Sequence, residues 1–400
     1  MFRLNICGLI FLASGLLSDA VSHAGDTSQD QSRLPLIGFT QFRTNLPAGR
    51  FENVTTMRAH IVRRDGTGMK AVGESIITRD HSWTQFAGWS PDGRQAIVGN
   101  GWESPDNARW EEKHRTFRFT EDGWSYDMHL VDLATGHTFN VTAVDRVSFY
   151  NTGLFFWPDD PGTLGFTALI DGISHPFRMN SDGTEKVDLT QGTDGFTYGF
   201  EASPDGSRVA YHKDYQVYLA DADGKNVTKV ETGHPFNFVP KWSPDGQHVL
   251  FVSGEHYDCH PHLVDRDGSN LRKLADRNGY RGVVTFLDVD DFHGGSSDVP
   301  VWAVDGKSVF FTRNTGESVE LFRASLDGQL EQLTHSPPGS STYHPTSSPD
   351  GEEIIVGSNK TGTRQLYLLN LHTQDELPLT NVPPGHGAMW PHWQPCAASE

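Results

Sequence analysis

The chain of 400 residues has only three cysteines, Cys7, Cys259 and Cys396, and none has the spacing of a metal or redox motif. A disulfide framework is therefore not expected, and Cys259 and Cys396 read as free thiols. Positive charge is also scarce: 32 lysines and arginines face 51 aspartates and glutamates, a formal charge of -19. Such a surface repels nucleic acid and anionic membranes, so neither is expected as a partner. No P-loop, dinucleotide fingerprint or nucleophile elbow occurs. Long apolar runs are confined to Leu4–Leu17, too short to span a bilayer comfortably, so no membrane span is expected. Behind the basic Arg3, and followed by Ser22-His23-Ala24, that run predicts a secretory signal over 1–24 and a secreted or periplasmic protein. Residues 25–35 are expected to be a flexible segment and 396–400 a loose tail.

Glycine is abundant, 41 residues, and much of it sits in one repeated phrase. Trp89-Ser-Pro-Asp-Gly93, Ala202-Ser-Pro-Asp-Gly206 and Trp242-Ser-Pro-Asp-Gly246 are full copies; Trp302-Ala-Val-Asp-Gly306, Ser347-Ser-Pro-Asp-Gly351 and Phe155-Phe-Trp-Pro-Asp-Asp160 are variants. Proline presets the first corner, aspartate caps the turn with its side chain, and glycine takes the positive φ. Apolar runs such as Val249-Leu-Phe-Val252 flank each copy and read as strands, so the phrase is a hairpin turn. A second turn, for example Asp223-Gly224 or Asp267-Gly268, follows at a steady distance. Four antiparallel strands in about 40–45 residues, repeated, predict a β-propeller.

Copies beginning near Phe86, Gly153, Gly199, Val239, Val299 and His344 make six blades. Residues from Leu36 supply three strands of another, and Ala388–Gln394 resembles its missing innermost strand. The expectation is one all-β domain over 36–395, seven four-stranded antiparallel blades closed by the two chain ends; six or eight blades are the alternatives. The tryptophans beside the turns are expected to pack between blades.

This topology gives every loop an address. The Ser-Pro-Asp-Gly and Asp-Gly turns share one face, and the remaining loops share the other, here called the top. Most histidines are expected on the top. The long insertion 101–124 carries Trp102, Trp110 and Arg115, which with Tyr150, Tyr257 and Tyr343 are candidate substrate-binding residues, since long loops on a rigid scaffold are where binding concentrates. His256, His260, His293, Asp298, His344 and His386 come from consecutive blades and are candidate ligands for a divalent transition metal, manganese, zinc or iron. His212, Lys213 and His175 are candidate proton-transfer groups. Read blandly, each of these is a hydrogen-bonding group of a polar loop.

The repeated phrase, with third strands such as Gln216-Val-Tyr-Leu219 and Gln365-Leu-Tyr-Leu368, resembles the TolB-type (WD40-like) propeller repeats. His344-Pro345 ahead of Ser348-Pro-Asp-Gly351 also resembles the oligogalacturonate lyases, where such a histidine joins others and a glutamine around a divalent ion. Thr342 and Gly339 stand where that family has its second histidine and its glutamine, and Val299 stands near a further one. The resemblance implies a metal-assisted, lyase-like enzyme acting on an acidic oligosaccharide. The alternative is a non-catalytic propeller that binds a glycan, peptide or envelope protein. A monomer is expected in either case.

Overall fold

The computed structural model describes residues 34–47, 50–115, 118, 122–144, 146–147, 153–170, 173–190, 194–282 and 298–395, except for the Tyr198 side chain. The expected signal, Tyr150, His293, Cys7 and Cys396 lie outside these residues. From Pro35 onward the chain forms one unit of seven four-stranded antiparallel sheets arranged as propeller blades. The inner strands of blades 2 to 7 are Ser82–Trp89, Leu154–Trp157, Thr197–Ala202, Phe236–Trp242, Val301–Trp302 and Thr342–Ser347. Blade 1 takes its inner strand, His386–Trp393, from the far end of the chain. That strand pairs antiparallel with Leu36–Arg43, from Arg43 opposite His386 to Ile37 opposite Trp393. The seven-blade count and the closure by both chain ends are as the repeats predicted. Closure leaves no blade incomplete and no open ring edge.

Each blade buries its apolar faces against its neighbours, as in the cluster of Ala210, Leu219, Trp242, Val249 and Phe251 between blades 4 and 5. The turn tryptophans also latch the blades by hydrogen bonds. Trp89 donates its indole N–H to His392 O (3.1 Å), Trp302 to Lys241 O (3.1 Å) and Trp393 to Thr346 O (3.3 Å), each reaching the inner strand of the preceding blade. The turns behave as their chemistry requires. In blade 4, Ser203 Oγ donates to Asp205 Oδ1 (2.6 Å), and Gly206 sits at φ 64°.

One feature was not legible as such in the sequence: the inner strands carry β-bulges. The register slips opposite Phe86–Gly88, Tyr198–Glu201, Phe238–Lys241, Tyr343–Thr346 and Met389–His392. At four of these bulges a residue turns left-handed: Gly199 (φ 59°), Val239 (φ 50°), His344 (φ 49°) and Trp390 (φ 51°). Glycine accepts this freely, but a β-branched valine or a bulky tryptophan does so at a cost of about 1–3 kcal/mol. In Val239, His344 and Trp390 the next residue is proline. A bulge at the crowded inner strand increases local twist and re-aims side chains.

Candidate functional site

The bulges need a partner for their displaced backbone N–H groups, and the preceding blade supplies it. Phe86 N donates to Thr40 Oγ1 (3.0 Å), Val239 N to His212 Nδ1 (3.2 Å) and His344 N to Asp298 Oδ1 (2.9 Å). His212, a candidate proton-transfer group, is thus fully buried as a bulge acceptor. Asp298, a candidate metal ligand, has its second oxygen occupied by Tyr280 Oη (2.8 Å) and Thr312 Oγ1 (2.7 Å). Burial, with the Asp298 carboxylate next in effect, pushes the Tyr280 hydroxyl well above its ordinary pKa, so it stays a donor.

Around Asp298 the structure assembles a chain of contacts through blades 5, 6, 7 and 1. Arg277, fully buried, donates its backbone N–H to His260 Nδ1 (3.2 Å) and its Nη2 to Asp298 O (2.6 Å). His344 then stacks on Trp390, with ring centroids 5.5 Å apart and planes at 25°. Trp390 stacks in turn on Phe42, at 6.1 Å and 14°. The result is an aromatic shelf on the strands of blades 7 and 1, in which Phe42 and His344 are buried and Trp390 is half-buried, held in place by the bulges. Arg364 lies nearby, its guanidinium carbon 5.7 Å from the Tyr343 ring. Arg277 and Arg364 both act electrostatically on the Tyr280 hydroxyl.

The other candidates fall at separate places. His256 packs on Tyr257 (4.1 Å between centroids), and Arg281 covers Tyr257 at 3.9 Å. His260 Nε2 faces Asp258 (3.4 Å) and Asp276 (3.7 Å). His386 opens the closing strand, opposite Arg43. Tyr343 is fully buried against Gly357, where a Cβ would stand 2.0 Å from its ring, so it serves the blade 7 core. Among the described residues no three His, Cys, Asp or Glu side chains gather as a metal ion requires. The described donors therefore do not fit the manganese-type centre that the lyase resemblance implies; His293 lies outside them.

In blades 3 and 4, His175 donates or accepts through Nδ1 with Asp188 Oδ2 (2.6 Å), and Lys213 Nζ pairs with Asp194 Oδ1 (2.9 Å). Asp194 is held below its ordinary pKa by Lys213 first, with His175 also contributing. These two candidates are therefore neighbours across Asp194, away from the shelf in sequence and in blade.

The insertion after blade 2's second strand forms a helix, Pro105–His114. Ser104 caps it, accepting from Asn107 N (3.1 Å), and Pro105 opens it. The buried Glu103 and Glu111 both bind Arg50, Glu103 through two bonds of 3.0 and 2.9 Å. Burial raises Glu111 to about 7, offset in part by the Arg118 N–H. Trp110 stacks on His114 (4.1 Å), Arg79 covers Trp102 (3.9 Å), and Arg115 ends the helix at φ 55°.

Trp390, Phe42, Arg277, Arg364 and Tyr280 were not singled out from sequence. The available signal was the X-Pro pair three residues before the end of the inner strand, as in Val239-Pro240, His344-Pro345 and Trp390-Pro391.

Residues 211–395 match the model of the TolB beta propeller domain. An uncharacterized protein of Agrobacterium fabrum is 23% identical over 261 residues, which cover 56% of this chain and 83% of that protein. The Tol-Pal system protein TolB of Hydrogenovibrio crunogenus is 34% identical over 70 residues, 18% of this chain and 16% of that protein. Among solved structures, an oligogalacturonate lyase in complex with manganese superposes with a TM-score of 0.54 at 17% identity, covering 82% of this chain and 84% of that one. A puromycin-hydrolyzing peptidase of Mycobacterium tuberculosis gives 0.52 at 15% identity, covering 74% of this chain and 47% of that one. At these identities the structural likenesses show the shared propeller fold.

Proposed function

We propose that this chain, a TolB-type β-propeller, binds an acidic saccharide at its axial channel, and that half-buried Trp390, braced by the buried His344 and Phe42, is the platform for the sugar ring. The observation that carries the reading is the shelf itself: His344 and Trp390 hold left-handed backbone angles that cost stability, and the strain positions two stacked rings. Flat aromatic faces with a few convergent polar groups are the usual make-up of a small-molecule site. The half-buried guanidinium of Arg364 favours a carboxylate-bearing ligand over a neutral one, and locally offsets the repulsion of a chain with formal charge -19. Export by way of the N-terminal 24 residues belongs to the same reading. Among the described residues no helix is long and apolar enough to cross a membrane.

The test is calorimetric titration with digalacturonate and with a neutral disaccharide. Saturable binding of the acidic sugar alone is expected, weakened about tenfold or more in Trp390→Ala, which corresponds to about 1.4 kcal/mol. Equal affinity for both sugars, or an unchanged affinity in the variant, would remove the shelf from the account.

A lyase reading is favoured by one separate observation, the Asp188 contact that orients His175 as a base. It requires substrate to reach blades 3 and 4. Incubation with oligogalacturonate, followed by absorbance for a new unsaturated product, decides it: product that disappears in His175→Ala supports the reading, and no product ends it.

A further inference from the structure

The bulges of the inner strands have a common sequel. On the turn side of each, pairing resumes at a single residue: Gly88, Glu201, Lys241, Thr346 and His392. All five are half-buried, and three carry ionisable side chains. Lys241 Nζ of blade 5 stands 3.4 Å from Glu201 Oε1 of blade 4, and solvent reaches both side chains, which are 25% and 29% exposed. His392 belongs to blade 1. Burial lowers its imidazole to about 4, and the charge of Lys241 is the next cause, followed by His344. Blades 6 and 7 lie between blade 5 and blade 1 in the ring, so Lys241 and His392 face each other across the axial channel.

An ammonium has three donors and makes its charge-assisted bonds at about 2.7–2.9 Å. The contact with Glu201 is longer, and among the described residues it is the only hydrogen bond or ion pair of the Lys241 ammonium. Glu201 is held independently, since its Oε2 accepts the Trp242 backbone N–H (2.7 Å). The His392 ring rests on Phe86, with centroids 5.7 Å apart, and its nitrogens make no hydrogen bond among the described residues. Neutral at pH 7, that ring has one donor and one acceptor to offer. We propose that Lys241 and His392 form an inner subsite of the channel, in which Lys241 receives the second carboxylate of a ligand with two uronate rings, the first ring lying on Trp390; this rests on the saccharide reading above. Trp390 precedes His392 by two residues on one strand, so a ligand that runs from the shelf along the axis comes next to this pair. Two cations, Arg364 near the shelf and Lys241 beyond it, then answer two carboxylates. The incoming carboxylate replaces Glu201 at the ammonium, a step that a neutral sugar cannot drive. Glu201 keeps its bond to the Trp242 N–H.

Calorimetric titration of the full chain with galacturonate and with digalacturonate, at constant ionic strength, tests the proposal. The unaltered protein is expected to bind digalacturonate about tenfold more tightly than galacturonate. Lys241→Met is expected to abolish that advantage. Glu201→Gln, which keeps an acceptor for the Trp242 N–H and releases Lys241, is expected to enlarge it about threefold. The opposite signs separate a ligand contact from a structural role, because loss of a merely structural ion pair would weaken both variants alike. If Lys241→Met fails to fold, Glu201→Gln carries the decision. Equal affinity of the unaltered protein for the two acids, an advantage retained in Lys241→Met, or one not enlarged in Glu201→Gln overturns the inner subsite; the shelf stands in each case if Trp390→Ala still weakens binding. Absence of saturable binding of either acid removes the shelf and the subsite together.

Discussion

At the scale of single residues, two side chains with catalytic or metal-binding chemistry are engaged in holding backbone. His212 and Asp298 accept the N–H of a left-handed residue in the next blade, as Thr40 does for Phe86. Asp298 also gathers Tyr280, Thr312 and Arg277, all at one enclosed point. Alanine keeps the backbone carbonyl that Arg277 binds, but it leaves the His344 N–H and the Tyr280 and Thr312 hydroxyls without their acceptor. Asp298→Ala is expected to destabilise the fold by about 3 kcal/mol or more, on the scale of breaking a buried charged contact. Equilibrium urea denaturation measures this, and a loss below about 1 kcal/mol would mean that the network relaxes onto water.

At the scale of the blade, the repeated tryptophan does two jobs that can be separated. Trp89, Trp302 and Trp393 fill the gap between blades and latch onto the preceding inner strand through the indole N–H. Trp242 occupies the equivalent place, but its indole nitrogen is buried with no hydrogen-bond partner among the described residues. Glu201 instead binds the Trp242 backbone N–H at 2.7 Å. Phenylalanine at either position removes the same volume, so the difference between the two substitutions isolates the hydrogen bond. Trp89→Phe is expected to cost about 1 kcal/mol more than Trp242→Phe. Equal losses in paired urea curves would show that the latch adds nothing beyond packing.

At the scale of the whole molecule, repetition makes pH dependence cumulative. Burial lowers His129, His262 and His392 from an ordinary value of 6.5 to about 4. The unfolded chain takes up those protons first, so stability that is present above pH 6.5 declines as the pH falls towards 4. The turn aspartates act below that window. Asp92, Asp205, Asp245 and Asp350 are held under their ordinary 3.8, chiefly by the serine hydroxyl two residues earlier. Their contribution is present above pH 3.8 and is lost as the pH falls through their folded values. The urea midpoint is therefore expected to drop in two stages, first between about pH 6.5 and 4 and again below about 4. His262→Gln is expected to shallow the first stage and leave the second; a midpoint constant from pH 7 to 4.5 would contradict the histidine assignment.

The amino-acid sequence by itself determined the architecture. Ser-Pro-Asp-Gly and Asp-Gly turns act locally through φ preferences and side-chain caps, and their spacing sets strand number, blade number and the closing role of Ala388–Gln394. It also placed His260, Asp298 and His344 on neighbouring blades, because loop addresses follow from the repeat. What those groups do was decided only by the tertiary structure. The bulges that turn Val239, His344 and Trp390 left-handed depend on how inner strands crowd around one axis, and the partners of the displaced N–H groups come from another blade. Arg50 and Arg277 look alike as letters; one was given two carboxylates and the other a backbone carbonyl, because charge compensation depends on what folding brings within a few ångströms.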